Sequence, residues 1–106
     1  GFARRGLDVA TWGHVSDGNV HPNVLPRSYD DVEAGKAVIL EFGVEVARLG
    51  GCPLAEHGVG RHPVKQALLR QLYGDEGLAQ MRRVKQALDP DHRLAPGVLF
   101  AVSPPR

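Results

Sequence analysis

Strand-forming residues cluster in two short segments near the start of the chain. Residues Leu7 to Trp12 are rich in strand formers and are followed by glycine, which predicts a first β-strand. Residues Val20 to Leu25 predict a second strand, closed by Pro26. Between them, Asp17-Gly18 suits the positive φ angles of a two-residue type I′ turn. The pattern therefore predicts an antiparallel hairpin.

After the hairpin, apolar residues recur at helical spacing in three successive segments. The first helix is predicted to begin at Asp30, with Asp30 and Glu33 as a capping box, and to end at Gly50-Gly51. A second helix is predicted from Pro63 to about Tyr73, because proline is favoured in a first helical turn. A third is predicted from about Asp75 to Leu88, where Asp-Pro follows.

Residues Cys52 to Ala55 are predicted to form a short buried strand. The order of elements is then two strands, a helix, a short strand and two helices. This order predicts an α+β fold with a small antiparallel sheet and helices on one of its faces.

The composition indicates a globular chain of about one domain and argues against two classes of function. The chain has 106 residues, 42% of them hydrophobic, which is enough for a modest core. Its 13 basic and 12 acidic residues are spread along the chain, so charge offers no basis for binding nucleic acid or an anionic membrane. No apolar run approaches the roughly 20 residues needed to span a bilayer. The lone Cys52 rules out an internal disulfide and fits a reducing compartment.

The start of the sequence suggests a fragment. The chain begins at Gly1, its only methionine is Met81, and it opens almost directly on a predicted strand. A product clipped after initiation would look the same. We expect instead the tail of a longer protein, with any targeting segment left open.

Two of the five histidines lie symmetrically about the predicted turn. With Asp17-Gly18 as its central residues, His14 lies directly opposite His21, at a Cβ separation of ~4.5–5.5 Å. Two imidazoles at that separation can bind one cation. They can equally pack or hydrogen-bond on a polar sheet face. A bulge at Gly18 would also bring the two histidines together, with a different pairing of the strands. Catalytic zinc sites usually have three protein ligands, so a third must come from elsewhere.

The segment EHGVG, Glu56 to Gly60, is a candidate for the remaining chemistry. Glu56 can complete a His-His-Glu set of the kind that holds zinc or manganese. His57, on a strand-like backbone, is expected to point elsewhere and act as a base. Gly58 and Gly60 would let a ligand approach the backbone. A solvated Glu-His pair is the alternative, and a lone Gly-x-Gly is only a weak phosphate signal.

Three other residues carry weaker signals. His62, just before Pro63, and His92, in a polar turn, are expected to have structural or solvent roles. Lys65 follows EHGVG by one helical turn and receives no assigned role.

Several motifs in order resemble a known family. GHVSDGNVHPN, then EHGVGR, then YG…MRRVKQALDP and APGVLF resemble the C-terminal region of FAD-linked oxidases of the vanillyl-alcohol-oxidase type. That family includes glycolate oxidase flavoprotein subunits and D-lactate and D-2-hydroxyglutarate dehydrogenases. The resemblance covers nearly the whole chain. It implies that residues 1–106 are the C-terminal part of the cap (substrate) domain of a two-domain flavoprotein, whose FAD-binding domain is absent from this chain.

The resemblance also implies roles for five residues. His14 and His21 match two histidines that bind a divalent metal in members that use one, and Glu56 matches the third ligand. His57 matches the general base that removes the hydroxyl proton of a 2-hydroxy acid. Asn23 matches a substrate-contacting position. The cofactor-binding residues are unknown.

The implied cofactors are FAD, bound mainly by the missing domain, and a divalent metal, zinc or manganese. The implied reaction oxidises a small 2-hydroxy acid, such as glycolate or D-lactate, to the 2-oxo acid. The implied partners are that substrate, the FAD-binding part of the same protein and other oxidase subunits. The expected location is cytoplasmic, with membrane association only through partners, and the fragment alone is expected to be inactive.

One motif departs from the family, and two other classes of function remain open. The family usually ends in Asn-Pro-Gly-Lys, whereas Ala95-Pro96-Gly97-Val98 lacks the amide and the ammonium, so no flavin contact is assigned there. The first alternative is a metal-dependent hydrolase that uses His14, His21 and Glu56 with a bound water. The second is a non-catalytic interaction fragment in which the histidines only pack.

Overall fold

The computed structural model describes residues 1–54 and 56–101. Within them it contains strands β1 (Asp8–His14) and β2 (Asn19–Leu25) and helices α1 (Tyr29–Arg48) and α2 (Pro63–Leu88). The chain divides into two compact units, Gly1–Phe42 and Gly43–Arg106. The predicted α+β class is confirmed. Neither described helix combines the length and the apolar character needed to cross a membrane.

The predicted hairpin is confirmed, but its turn is not the predicted one. β1 and β2 pair antiparallel, from Asp8 with Leu25 to His14 with Asn19. A four-residue connection, Val15–Gly18, joins the strands. It consists of a 3₁₀ turn followed by a glycine with φ of 72°.

This connection changes the register of the hairpin. His21 lies opposite Trp12, and His14 lies opposite Asn19. The prediction that the two histidines directly oppose each other is therefore wrong. The physical reason is that the 3₁₀ turn keeps Val15–Asp17 out of the ladder, whereas a two-residue turn would leave out only two residues.

α1 packs on one face of the hairpin in the first unit. At Gly35 an added Cβ would lie 3.1 Å from the Val24 side chain, so helix and strand approach closely there. Val38 is 1% exposed, a degree of burial that stabilises the fold by about 1.5–3 kcal/mol. The core around it consists of Phe2, Leu7 and Val38, with Val24 and Ala34 packed against them.

The beginning of α1 is capped by a residue that the sequence pattern did not indicate. Ser28 Oγ accepts a hydrogen bond from the Asp31 backbone N–H at 3.2 Å. The Asp31 carboxylate in turn accepts the backbone N–H of Arg27 at 2.9 Å, and this bond lowers the pKa of Asp31. The predicted capping box of Asp30 and Glu33 is wrong, because the same kind of interaction lies two residues earlier.

The second unit is built on α2, which is interrupted at Gly74 (φ 67°, ψ −179°). The predicted break between Tyr73 and Asp75 is therefore confirmed. The prediction of a strand at Cys52–Ala55 is wrong for Cys52–Leu54, where the chain turns, and Ala55 lies outside the described residues. The core of this unit consists of Val59, Leu69 and Leu78, with Leu54, Met81 and Phe100 packed against them.

The end of α2 is closed by Asp89, which is only 6% exposed. Its carboxylate pairs with the Lys85 ammonium and accepts the backbone N–H groups of Arg93 and Leu94, each at 2.9 Å. The Lys85 hydrogen bond is the largest cause that lowers the pKa of Asp89 to about 2, and the backbone N–H groups add to it. The predicted helix stop at Asp89-Pro90 is confirmed.

Candidate functional site

The pleat of the hairpin separates its side chains into two faces. One face carries Val24 and packs against α1. The opposite face, here called the polar face, carries Trp12, His14, Asn19, His21 and Asn23, together with Asp8, Ala10 and Leu25 nearer its other end. On β2 these polar residues are half-buried, whereas the intervening Val20 and Pro22 are exposed. Half-buried polar residues on the face away from the helix are a candidate binding surface.

His14 and His21 share the polar face as diagonal neighbours. His14 opposes Asn19, and His21 lies two residues further along β2. The observed register differs from the predicted one by two residues. Because side chains alternate with a period of two, a shift of two residues leaves both histidines on one face. Diagonal neighbours are ~7–8 Å apart, which is still within reach of long side chains. His21 is half-buried and His14 is exposed.

Asn23 lies next to His21 on the same face of β2. Its Nδ2 donates a hydrogen bond to the His21 backbone carbonyl at 2.8 Å. This local bond holds the half-buried carboxamide along the strand. The proposed contact between Asn23 and a substrate stays a prediction.

Glu56 and His57 lie at a bend of the second unit. His57 Nε2 is 3.5 Å from Glu56 Oε1, and the side chains are 63% and 46% exposed respectively. The expectation that His57 points away from Glu56 is therefore wrong, because the backbone bends here and is not a strand. The result is an exposed imidazole beside a carboxylate.

The loop that follows this pair is anchored by the first turn of α2. Lys65 Nζ donates to the Gly58 carbonyl at 3.0 Å, and Gln66 Nε2 donates to the Gly60 carbonyl at 3.3 Å. Val59, between the two glycines, is buried in the core of the unit. Sequence reasoning missed this role of Lys65 and Gln66. The available signal was an amine and an amide in the first turn of the helix that follows the loop.

The same loop is also tied to the APGVLF motif. Gln66 Nε2 donates to the Gly97 carbonyl at 2.8 Å, and the Leu99 N–H donates to the Gly60 carbonyl at 2.9 Å. These contacts use backbone atoms of the motif. The absent asparagine and lysine side chains are therefore not needed for the fold of this segment.

The structure gives one of the remaining histidines, predicted to have structural or solvent roles, a structural contact. His62 is the N-cap residue of α2, but its side chain makes no capping hydrogen bond there. His92 Nε2 lies 2.8 Å from Gln86 Oε1, just beyond the end of the helix. The structure thus brings His14, His21 and Asn23 onto one face of the first unit, and Glu56 beside His57 in the second.

A family model described as FAD linked oxidases, C-terminal domain, matches residues 2–99. The chain belongs to this family. The resemblance seen in the motifs is thereby confirmed. No solved structure matches the chain significantly.

Three curated relatives have names that point to related activities. A glycolate oxidase subunit GlcD of Bacillus subtilis is 35% identical over 101 residues, which are 93% of this chain and 21% of that protein. A D-2-hydroxyglutarate dehydrogenase of Xanthomonas citri is 39% identical, over 89% of this chain and 20% of that protein. A D-lactate dehydrogenase of Archaeoglobus fulgidus is 34% identical, over 87% of this chain and 20% of that protein. The chain thus spans about a fifth of the length of these relatives.

Proposed function

We propose that this chain is the C-terminal part of the cap (substrate) domain of an FAD-dependent oxidoreductase that oxidises a 2-hydroxy acid to the 2-oxo acid. The observation that carries the proposal is the family match over residues 2–99. The names of the relatives support the substrate class, because glycolate, D-lactate and D-2-hydroxyglutarate are all 2-hydroxy carboxylates. The match favours this function over the hydrolase and the interaction fragment.

FAD is bound mainly outside residues 1–106 in this proposal, in an FAD-binding part of the same protein. Other oxidase subunits are further proposed partners, since one relative is named as a subunit. The proposed location is cytoplasmic, with membrane association only through such partners.

The proposed metal ligands are His14, His21 and Glu56. Two imidazoles on one face of the hairpin fit a divalent metal, because two histidines and a glutamate are a donor set of catalytic zinc sites with one open position. Imidazole suits zinc and carboxylate suits manganese, so both metals are compatible with these donors. Such a metal would polarise the hydroxyl and carboxylate of the substrate.

His57 is the proposed base, and it takes the proton of the substrate hydroxyl. The carboxylate of Glu56, 3.5 Å from His57 Nε2, stabilises the imidazolium that this step produces. The hydrogen on the substrate Cα leaves with two electrons as hydride, for which FAD supplies the acceptor. Asn23 orients the substrate, because its carboxamide carries a second N–H and a carbonyl oxygen besides the N–H that binds the His21 carbonyl.

A chimera tests this function. Residues 2–99 replace the matching segment of the Xanthomonas citri relative, and dye-linked oxidation of the three 2-hydroxy acids is measured together with FAD content. We expect oxidation of at least one acid. His57→Ala should lower the rate by ~10²–10⁴-fold, the usual contribution of a positioned base, without loss of FAD.

The matched control in the chimera is His62→Ala, which removes a nearby histidine at the N-cap of α2. We expect this variant to retain its rate. A folded, FAD-loaded chimera that oxidises none of the three acids would contradict the proposed reaction. Equal activity of the His57 and His62 variants would contradict the role of His57 alone.

A further inference from the structure

Gly13 adopts a backbone conformation that other residues avoid. Its φ is +141°, in the region that glycine populates readily and L-residues rarely adopt. Gly13 is the second-to-last residue of β1, directly before His14, and it pairs with Val20. The conformation therefore occurs inside the ladder, next to both histidines of the polar face.

The space beside Gly13 is occupied by the ring of His21. An added Cβ at Gly13 would lie 2.9 Å from His21 Cδ2 and 2.3 Å from the Asn19 carbonyl oxygen. Contacts of this length require neighbouring atoms to move, and the Asn19 oxygen is part of the backbone ladder. The Cδ2 edge of the His21 imidazole thus rests against a position that only glycine leaves open.

We propose that Gly13 is a positioning residue for His21, because its missing side chain leaves the space that holds the imidazole. The ring is planar, so contact along its Cδ2 edge sets the direction of both nitrogens. The consequence of this positioning, that His21 presents a nitrogen to a divalent metal, rests on the proposed function. The proximity of the His21 ring to the place that a Cβ at position 13 would occupy does not depend on that function.

Gly18 provides a matched control within the same hairpin. It also has a positive φ, +72°, but an added Cβ there meets nothing within 4 Å. Gly18→Ala therefore places an L-residue at a positive φ without touching His21, at a lower backbone cost than at Gly13, because φ near +70° lies at the left-handed helical region. A difference between alanine at 13 and alanine at 18 reports the contacts with the His21 ring and the Asn19 carbonyl together with the greater strain at 13.

A D-alanine at position 13 separates backbone strain from the contact. D-residues favour positive φ as L-residues favour negative φ, and the methyl group then replaces the other hydrogen of Cα. The chain permits this substitution by chemical ligation, because Gly51 is followed by Cys52. A synthetic peptide of residues 1–51 that carries D-alanine at position 13 is joined to residues 52–106. The junction is the native Gly51-Cys52 bond, so the rest of the sequence is unchanged.

The first measurement needs no metal. In the unsubstituted chain, NMR should show a nuclear Overhauser effect between Hδ2 of His21 and the Hα protons of Gly13. We expect the His21 Hδ2 resonance to be preserved with D-alanine at 13 and in Gly18→Ala, and displaced in Gly13→Ala. Absence of the effect in the unsubstituted chain would overturn the proposal, even if Gly13→Ala fails to fold.

The second measurement is the affinity for Zn²⁺ by calorimetry. Gly13→Ala should bind about 10–100-fold more weakly than Gly18→Ala, the usual cost of losing a group that orients a ligand. The D-alanine chain should retain the affinity. Equal losses in the L-alanine and D-alanine chains would overturn the positioning role. If the unsubstituted chain binds no Zn²⁺, the metal-ligand proposal fails, and the NMR comparison still decides the role of Gly13.

Discussion

Asp89 and Glu56 are carboxylates of the same unit in opposite surroundings. The Asp89 side chain is 7% exposed, whereas that of Glu56 is 46% exposed. Asp89 receives an ammonium and two backbone N–H groups, all from residues within five positions of it. Glu56 lies beside the exposed imidazole of His57. The Asp89 carboxylate accepts hydrogen bonds that stabilise the end of its own helix. The Glu56 carboxylate is exposed, so a ligand can reach it.

The largest expected effect on stability comes from Asp89→Ala. This change removes the acceptor of two backbone N–H groups and one of the two acceptors of the Lys85 ammonium, which also donates to the Leu94 carbonyl. Buried polar groups that lose a partner are costly. We expect the melting temperature, followed by circular dichroism, to fall by several degrees. The control is Asp91→Ala, because the Asp91 side chain is 69% exposed. Equal melting temperatures for the two variants would show that the buried Asp89 contributes no more to stability than the exposed Asp91.

The pH dependence of stability should isolate the same carboxylate. The pKa of Asp89 in the folded chain is about 2, below the usual 3.8, so unfolding takes up protons. The contribution of its charge is therefore complete above about pH 4 and is lost as the pH falls towards 2. The gap in urea midpoint between the unsubstituted chain and Asp89→Asn should shrink across that window. A gap that stays constant would show that the charge of Asp89 does not stabilise the fold.

A smaller loss of stability is expected at a helix N-terminus, where Ser28 caps α1. Its Oγ accepts one backbone N–H at an exposed position. Ser28→Ala should lower the free energy of unfolding by about 1 kcal/mol, the typical cost of a lost N-cap. Urea denaturation measures this loss, and Ser28→Asp, which preserves the cap, should restore the stability. If urea denaturation gives Ser28→Ala as large a loss in free energy of unfolding as Asp89→Ala, burial does not determine how much each of the two residues stabilises the fold.

The smallest effect on stability is expected for Glu56→Gln. The side chain is exposed, so the free energy of unfolding should change by no more than about 0.5 kcal/mol. The affinity for Zn²⁺ should nevertheless fall, because an amide is a poorer metal ligand than a carboxylate. Calorimetry checks the affinity, and the control is Glu76→Gln, because Glu76 is an exposed glutamate of α2 that is not among the proposed ligands. Unchanged Zn²⁺ binding would remove Glu56 from the proposed ligands.

Local signals predicted those elements whose cause is local. Asp17-Gly18 indicated a turn, and a glycine with a positive φ does end the connection of the hairpin. Gly74 interrupts α2 where the predicted helices met. In both cases glycine tolerates a conformation that its neighbours resist, which is a property of one residue and not of the fold.

The register of the hairpin could not be read from the same residues. A two-residue turn and a 3₁₀ turn closed by Gly18 both suit this sequence, yet they differ by two residues in which side chain opposes His14. The choice depends on how the whole ladder pairs. The shared face of His14 and His21 was still predictable, because both registers have the same parity.

By itself, the sequence determined the α+β class, the approximate extent of the elements, the family and the residue types available for chemistry. These depend on periodicity, on glycine and proline, and on the order of motifs, all of which are properties of the chain. Only the tertiary structure decided that the His21 ring lies beside the place that a Cβ at position 13 would occupy, and that Asp89 is buried while Glu56 is exposed. The reason is that burial and contact depend on the register of the strands and on how the chain packs around a group, and a pattern along one chain does not contain that information.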